Sequence, residues 1–391
     1  MKGVFMGAEA VPKKDYKLKE YEKSTGKYYQ ANHVWKNPKL EIRSDLPTPA
    51  VGPRDLLIQV KSCGVCGTDV HCLEHDSDGY VVYPWHLRLN IVLGHELSGV
   101  VAQVGSEVLD FAVGDYVCTE EMVWCGECIP CRNGFPNQCE RLEEIGLTVD
   151  GGMAEYCVSP AKICWKLDPI RELYGDAHDV FDFGALVEPV SVAYNAIFER
   201  GQGFRPGAYC AVYGGGPIGL LSTALMKAGG ASKVIVFEPL EERRRLARIM
   251  GADHVYDTND LARNKTSPAE VVMDITKGRG ADVNLEASGV GHVVFPEIIS
   301  SIAVNANIIQ TALSGEPVPI LFPPLQGKGA QIFSSIGHSG NGTFENVIRL
   351  MGAGMIDVRP LIGAAYSLDQ AHDAFAEAKK RISSVIMFHN K

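Results

Sequence analysis

This chain reads as an α/β protein in which a β-rich domain is interrupted by a doubly wound, parallel, six-stranded sheet. Three observations predict it. Its 391 residues exceed what a single core usually organises. Apolar runs in the first half are short and broken by glycine and proline, whereas from Gly207 strand-like and helix-like runs alternate. At the first of these alternations a glycine-rich turn joins a strand to a helix, which is how parallel sheets with helical crossovers begin.

In the first part, residues 56–63, 97–104, 116–119 and 154–159 are predicted strands, apolar and bounded by turn formers. In the second part strands are predicted at 209–213, 234–238, 254–256, 282–286, 307–310 and 331–334, with helices over 218–228, 241–250 and 270–277. Six strands linked by helices imply a parallel sheet covered on both faces. A helix over 368–379 and a strand over 385–388 return to the first style. Residues 1–200 and 346–391 are therefore assigned to one domain and 201–345 to the other. Segment 13–32, rich in lysine, tyrosine and glutamate without a clear period, reads as an arm or a surface hairpin.

The formal net charge of -10 argues against nucleic acid or an anionic membrane as the main partner. The apolar stretch 208–228 divides into strand, turn and helix at its glycines and Pro217, so no membrane span is expected. No charged-then-apolar leader follows Met1, and 11 cysteines, an odd number, suit a reducing cytoplasm better than a disulfide framework. Cys63, Cys118, Cys157, Cys164 and Cys210 sit among apolar neighbours and read as small buried hydrophobes.

Cys125, Cys128, Cys131 and Cys139 form a C-x2-C-x2-C-x7-C run. Short turns that let four thiols converge suit a closed, structural zinc site; two disulfides are the plainer alternative. Gly214, Gly216 and Gly219 follow a strand and open a helix at Pro217 and Ile218, the setting a dinucleotide pyrophosphate needs. Glu238 ends the next strand, where a carboxylate accepts from a ribose hydroxyl and disfavours a 2′-phosphate, so NAD is expected over NADP. Arg243, Arg244 and Arg245 follow it. They either offset that charge, Arg243 first, or form a solvated helix face.

A second, open metal site is expected from Cys66, His95 and Glu188, which offer one soft, one intermediate and one hard ligand. Glu96, beside His95, either binds directly or approaches when the metal shifts.

In order along the chain, GVCGTDVH at 64–71, GHE at 94–96, the four-cysteine loop, DGGMAEY at 150–156, Glu188-Pro189 and GGGPIG at 214–219 resemble the zinc-dependent medium-chain dehydrogenase/reductase family. The resemblance covers essentially everything from Leu40 onward. It implies a GroES-like catalytic domain beside a Rossmann domain, two zinc ions and NAD. Glutamate at 188 is similar to the sorbitol-type, polyol branch, where ethanol-type enzymes carry cysteine. The segment between His71 and His95, the run LVEPVSVAYNA and GHSGNGTF at 337–344 look like cyclic-polyol enzymes of the scyllo-inosose 3-dehydrogenase type. The implied reaction moves a hydride between a secondary alcohol of a polyol or cyclitol and NAD, with zinc polarising the oxygen. Threonine dehydrogenase-like and linear-polyol activities are the alternatives, and a zinc-binding interaction protein is a different class. Thr68 and His71 are the implied proton relay, and Asp69 the residue that orients His95. Tyr80, Tyr83, Trp85 and His86, in the insertion 73–90, are expected either to border the pocket or to form a core or interface patch, and His338 and Ser339 to reach cofactor or substrate. A cytoplasmic homodimer or homotetramer is implied.

Overall fold

The computed structural model describes residues 1–88, 90–380 and 385–390. Of the insertion 73–90, residue 89 lies outside the described residues, as do 381–384 and 391 of the expected segment 346–391. By packing the chain forms two compact units. One contains Met1–Glu188 and the segments after Leu361; the other contains Pro189–Leu361. The expected joints were 200/201 and 345/346. The first compact boundary instead falls within a helix, Asp179–Tyr194, which the strand-oriented reading passed over.

The first unit is built around one long strand, Asp55–Val65, which longer pairing extends beyond the expected 56–63. It pairs antiparallel with Glu96–Val104, Val385–His389 and Tyr156–Pro160. Leu56, Ile58 and Val60 alternate inward and are fully buried, each burial stabilising by about 1.5–3 kcal/mol. Tyr116–Thr119 and Cys164–Lys166 extend the seven-stranded sheet on one side, and Ile362–Tyr366 on the other. A separate three-stranded sheet, Trp35–Arg43, Gly3–Ala10 and Ile91–Val92, was not anticipated.

Segment 13–32 is neither an arm nor a hairpin. Its helix Glu20–Thr25 carries Glu22, which is fully buried and accepts from the Tyr16 hydroxyl at 2.6 Å and from the Lys19 and Tyr29 amides. Its short strand Lys27–Tyr28 pairs with Leu87–Arg88, so the segment is held at several points by a buried carboxylate and a remote strand.

The second unit is a six-stranded sheet, all parallel. Its strands run His254–Tyr256, Lys233–Phe237, Tyr209–Tyr213, Ala281–Glu286, Ile302–Gln310 and Gln331–Ser334 across the sheet. Numbered along the chain this order is 3-2-1-4-5-6, with a switch point between Tyr209–Tyr213 and Ala281–Glu286, where such sheets bind ligands. The helix Pro217–Ala228 starts with proline at its first position and ends at Gly229, and it buries Leu220, Leu221 and Leu225. Among the described residues, no helix is long and apolar enough to cross a membrane.

Candidate metal centre and dinucleotide fingerprint

The metal-ligand candidates of the first unit come from its central strands. Asp55–Val65 ends beside Cys66, which precedes the helix Gly67–Leu73, while Glu96–Val104 begins directly after His95. Ligand atoms of Cys66, His95 and Glu96 all lie within 4.8 Å of one another. Two of their polar atoms, His95 Nδ1 and Glu96 Oε2, are buried without a hydrogen-bond partner among the described residues. A divalent cation would satisfy both, so the residues fit the ion that the motifs imply. The strand glycine at 64 makes room for this, because a Cβ there would stand 2.1 Å from Glu96 Oε2.

Glu96, rather than Glu188, completes the cluster with Cys66 and His95. Glu188 is carried by the helix Asp179–Tyr194, and its ligand atom falls within 4.8 Å of that of Glu121. It remains near enough to act through charge. Burial first, and then the Glu188 carboxylate, push Glu96 up to about 8. Burial opposes protonation of His95, but Glu121, Asp69 and Cys66 together outweigh it and hold the imidazole well above its usual range.

Asp69 does not bond the His95 ring. Its Oδ1 is 3.9 Å from His95 Nδ1, beyond hydrogen-bond reach. Its carboxylate instead accepts from the Cys66 amide at 2.9 Å and the Gly94 amide at 3.3 Å, and it is fully buried. One side chain thereby ties together the two segments that carry Cys66 and His95. Thr68 and His71 share one face of the helix Gly67–Leu73, three residues apart. His71 Nδ1 is 2.9 Å from Glu74 Oε2, a partner that the sequence reading did not identify.

Two further carboxylates escaped that reading. Glu121 Oε1 is 3.9 Å from His95 Nδ1, and Glu144 is pushed up to about 8 by burial and by Glu121. Glu121 precedes, and Glu144 belongs to, a small strand pair, Met122–Val123 with Glu143–Glu144, that closes the base of the four-cysteine loop. Of the insertion's aromatic residues, Tyr83 joins this group. Its hydroxyl is raised well above its usual range by burial and by Glu144, Cys72, Glu121 and Cys66. Tyr80 meets Lys13 and Lys36, and His86 stacks on Tyr29, so these two serve packing. A cavity of 650 Å³ between Arg54, Phe111, Trp124 and Lys162 shares no residue with the cluster, so the chemistry locates the centre better than volume does.

In the loop itself, Cys125 Sγ is 4.0 Å from Cys131 Sγ and Cys128 Sγ is 3.8 Å from Cys139 Sγ. Disulfide sulfurs would be about 2.05 Å apart, whereas a tetrahedron with metal–sulfur bonds of about 2.3 Å has edges of about 3.8 Å. The four cysteines are free and their sulfurs lie within 4.8 Å of one another. Backbone amides of Glu127 and Cys128 donate to Cys125 Sγ and lower its thiol to about 6, which favours the thiolate that a metal binds.

In the second unit, Gly214 has φ +100 and a Cβ there would meet Ala287 O at 2.8 Å; at Gly219 it would lie 2.0 Å from Gly214 O. Gly216 caps the helix and Pro217 and Ile218 open it, and a Cβ at Gly216 would meet only Arg243 Nη1, at 4.0 Å. The turn thus has open space above Gly216 and none at its other two glycines, as backbone approach to a phosphate requires. Glu238 follows the strand Lys233–Phe237. It is buried and accepts from the Gly215 amide at 2.7 Å and the Leu240 amide at 2.8 Å. The arginines have three different roles. Arg243 lies 3.7 Å from Glu238 Oε2, Arg244 bonds the Glu238 and Pro239 carbonyls and pairs with Asp257, and Arg245 pairs with exposed Glu242. His338 is buried edge-on against Phe344.

Residues 52–169 match the alcohol dehydrogenase GroES-like domain and residues 217–353 match the zinc-binding dehydrogenase model. The chain is 42% identical over 381 residues to scyllo-inosose 3-dehydrogenase of Thermotoga maritima, spanning 95% of this chain and 94% of that one. It is 32% identical to L-threonine 3-dehydrogenase of Bacillus subtilis, over 85% of this chain and 90% of the relative. A solved Thermotoga maritima structure, given as a candidate alcohol dehydrogenase, superposes with a TM-score of 0.94 at 39% identity and covers 100% of both chains.

Proposed function

Because this chain belongs to the zinc-dependent medium-chain dehydrogenase/reductase family, and so is an oxidoreductase, we propose that it oxidises a secondary hydroxyl of a cyclitol or related polyol with NAD. The observation that carries the substrate class is the ring of carboxylates, Glu96, Glu121, Glu144 and Glu188, gathered near Cys66 and His95. Carboxylates accept several hydrogen bonds each, so such a ring suits a molecule with many hydroxyls better than a simple alcohol. The 42% identical relative is itself named for scyllo-inosose, which agrees with this reading.

Cys66, His95 and Glu96 would hold the open-site zinc, with Glu188 in reserve, and the four-cysteine loop the closed one. When bound, zinc would supply the Lewis acidity that eases loss of a hydroxyl proton, and the dinucleotide would supply the hydride acceptor. Thr68 would accept that proton as it gives up its own, and His71, on the same face, would carry the relayed proton towards solvent. The Glu74 carboxylate at His71 Nδ1 fixes that nitrogen as the donor and leaves Nε2 to accept. Asp69 keeps Cys66 and His95 in register by holding their backbones. Glu121, Glu144 and Tyr83 bond the hydroxyls that do not react.

Gly214, Gly216, Gly219 and the helix opened by Pro217 and Ile218 receive the pyrophosphate, with Glu238 on the adenosine ribose. Two acceptor bonds to Glu238 leave lone pairs for a ribose hydroxyl, while a 2′-phosphate would meet its charge only partly offset by Arg243. A homo-oligomer is part of the proposal, since the edge strand Gln331–Ser334 pairs on one side only among the described residues and offers its other side to a second copy.

A second reading, an amino-alcohol dehydrogenase, draws on the same carboxylates as partners for an ammonium group and on the 32% identical threonine enzyme. Initial rates with inositols, inososes, sorbitol and threonine, each with NAD and NADP, separate the two. Cyclitols with NAD should be preferred, and threonine as the best substrate would overturn the first reading. Glu238→Ala should lower the NAD-to-NADP preference by about tenfold, the worth of one charge-assisted hydrogen bond. An unchanged ratio rejects the ribose assignment.

A further inference from the structure

On the first unit, away from Cys66 and the cysteine loop, two histidines and an aspartate converge. His178 directly precedes the helix Asp179–Tyr194, and Asp182 lies one turn further on the same face. His389 ends the strand Val385–His389 and stands opposite Ser62 on the central strand Asp55–Val65. Asp182 is buried, and its Oδ1 accepts from Ser62 Oγ at 2.6 Å and contacts His389 Nε2 at 2.8 Å. His178 Nε2 approaches Ser62 Oγ at 3.4 Å, a long contact, and the two imidazoles meet edge to face with centroids 4.4 Å apart. One ligand atom from each of His178, Asp182 and His389 lies within 4.8 Å of the other two.

We propose that His178, Asp182 and His389 form a further metal site, for a divalent first-row transition ion such as Zn2+, with Ser62 holding the carboxylate from behind. Two imidazoles and one carboxylate on adjacent elements match the donors that such ions select and that magnesium and calcium do not. The 2.8 Å contact between His389 Nε2 and Asp182 Oδ1 is a hydrogen bond that an ion would open to about 3.3 Å, the edge of a tetrahedron with bonds of about 2.0 Å, and exposed His178 closes on the pair by a side-chain rotation. His178 is exposed and His389 half-buried, so the ion would exchange readily. Bound there, it would clamp the base of the helix that carries Glu188 to the central sheet. The site stands whatever the substrate of the enzyme proves to be, since none of its residues belongs to the cluster at Cys66.

The test titrates the full-length enzyme, carrying its resident zinc, with Zn2+ in a calorimeter, followed by dialysis and elemental analysis. One additional ion per chain is expected in the wild type. His178→Ala and His389→Ala should each abolish that ion while leaving the resident zinc and the turnover number unchanged. Ser62→Ala should weaken it by about 10–100-fold, the usual effect of removing a residue that supports a ligand. Cu2+ bound at the same site should show nitrogen hyperfine coupling in electron paramagnetic resonance, lost in both histidine variants. The proposal is overturned if the wild type takes up no ion beyond its resident complement, or if the His178→Ala/His389→Ala double variant still binds it. In that case the three residues are a hydrogen-bonded clasp alone.

Discussion

The four-cysteine loop and the cluster at Cys66 both lie in the first unit, yet they are built in opposite ways. The four sulfurs of the loop come from a short stretch of chain, are fed by local backbone amides, and stand at nearly the separations of a tetrahedron. The cluster at Cys66, His95 and Glu96 is assembled from two strands and a helix, with His95 and Glu96 buried and Cys66 partly so, and two of its polar atoms have no partner among the described residues. The loop is closed by its own geometry. The cluster is left open, and its surroundings are carboxylates whose mutual repulsion and burial raise Glu96 and Glu144 to about 8. An arrangement held against such repulsion is expected where a cation and a substrate supply the missing charge and hydrogen bonds.

Cys66→Ala breaks this comparison most severely. It removes the one soft ligand of the open cluster, and with it Lewis acidity worth several kcal/mol, so kcat should fall by about a thousandfold or more. Circular dichroism should remain that of the wild type, because the strands on either side keep their pairing. Substantial residual turnover would mean that the cluster does not carry the chemistry. Chelation should sharpen the same contrast: zinc is expected to leave in two phases, the first abolishing activity and the slower second releasing four titratable thiols. A single phase would make the two centres equivalent.

The difference also explains what was legible in the amino-acid sequence. The cysteine loop was, because its ligands are local and spacing alone constrains them. So was the parallel sheet, whose Tyr209–Tyr213, His254–Tyr256 and Gln331–Ser334 strands coincide with the expected ones, since a glycine turn and alternating elements are local signals. Cys66, His95 and Glu96 were identifiable as motifs, but the choice between Glu96 and Glu188 depends on how a helix is seated against a strand, which no spacing encodes. Glu121 and Glu144 had no signal. Acidic residues are common, and these two gain meaning only because the strand pair under the cysteine loop turns them towards His95. Likewise the burial of Glu22, which organises segment 13–32, is invisible without its tertiary partners Tyr16 and Tyr29.

That strand pair links the two centres, and Glu144→Gln tests the link. If Glu144 bonds hydroxyls of the substrate, its amide should raise KM for a cyclitol by about tenfold, one hydrogen bond to a charged group, while kcat changes little. KM for a simple secondary alcohol should move far less. Opening the loop with Cys139→Ser should give the same split through disorder at Glu143–Glu144. Equal effects on both substrates would reduce the loop to a structural staple with no bearing on recognition.

The smallest expected effect is a pH dependence of stability. Glu144 is raised from 4.5 to about 8, by burial first and then by Glu121, with His95 opposing. The folded protein therefore keeps this proton to near pH 8, whereas the unfolded chain releases it near 4.5. Between those values the folded state binds more protons, so the contribution is complete at low pH and lost as pH rises. Glutamine cannot titrate and escapes that loss. In enzyme stopped after the first phase of chelation, Tm of Glu144→Gln relative to wild type should be flat below about pH 5 and climb by several degrees up to pH 8. Glu96 contributes with the same sign, so the variant keeps part of the slope. Reloading zinc should flatten the wild-type profile, because a divalent charge favours the ionised carboxylates. A constant difference across this window would show that Glu144 is ionised throughout, and the ring would then be an ordinary solvated acidic surface.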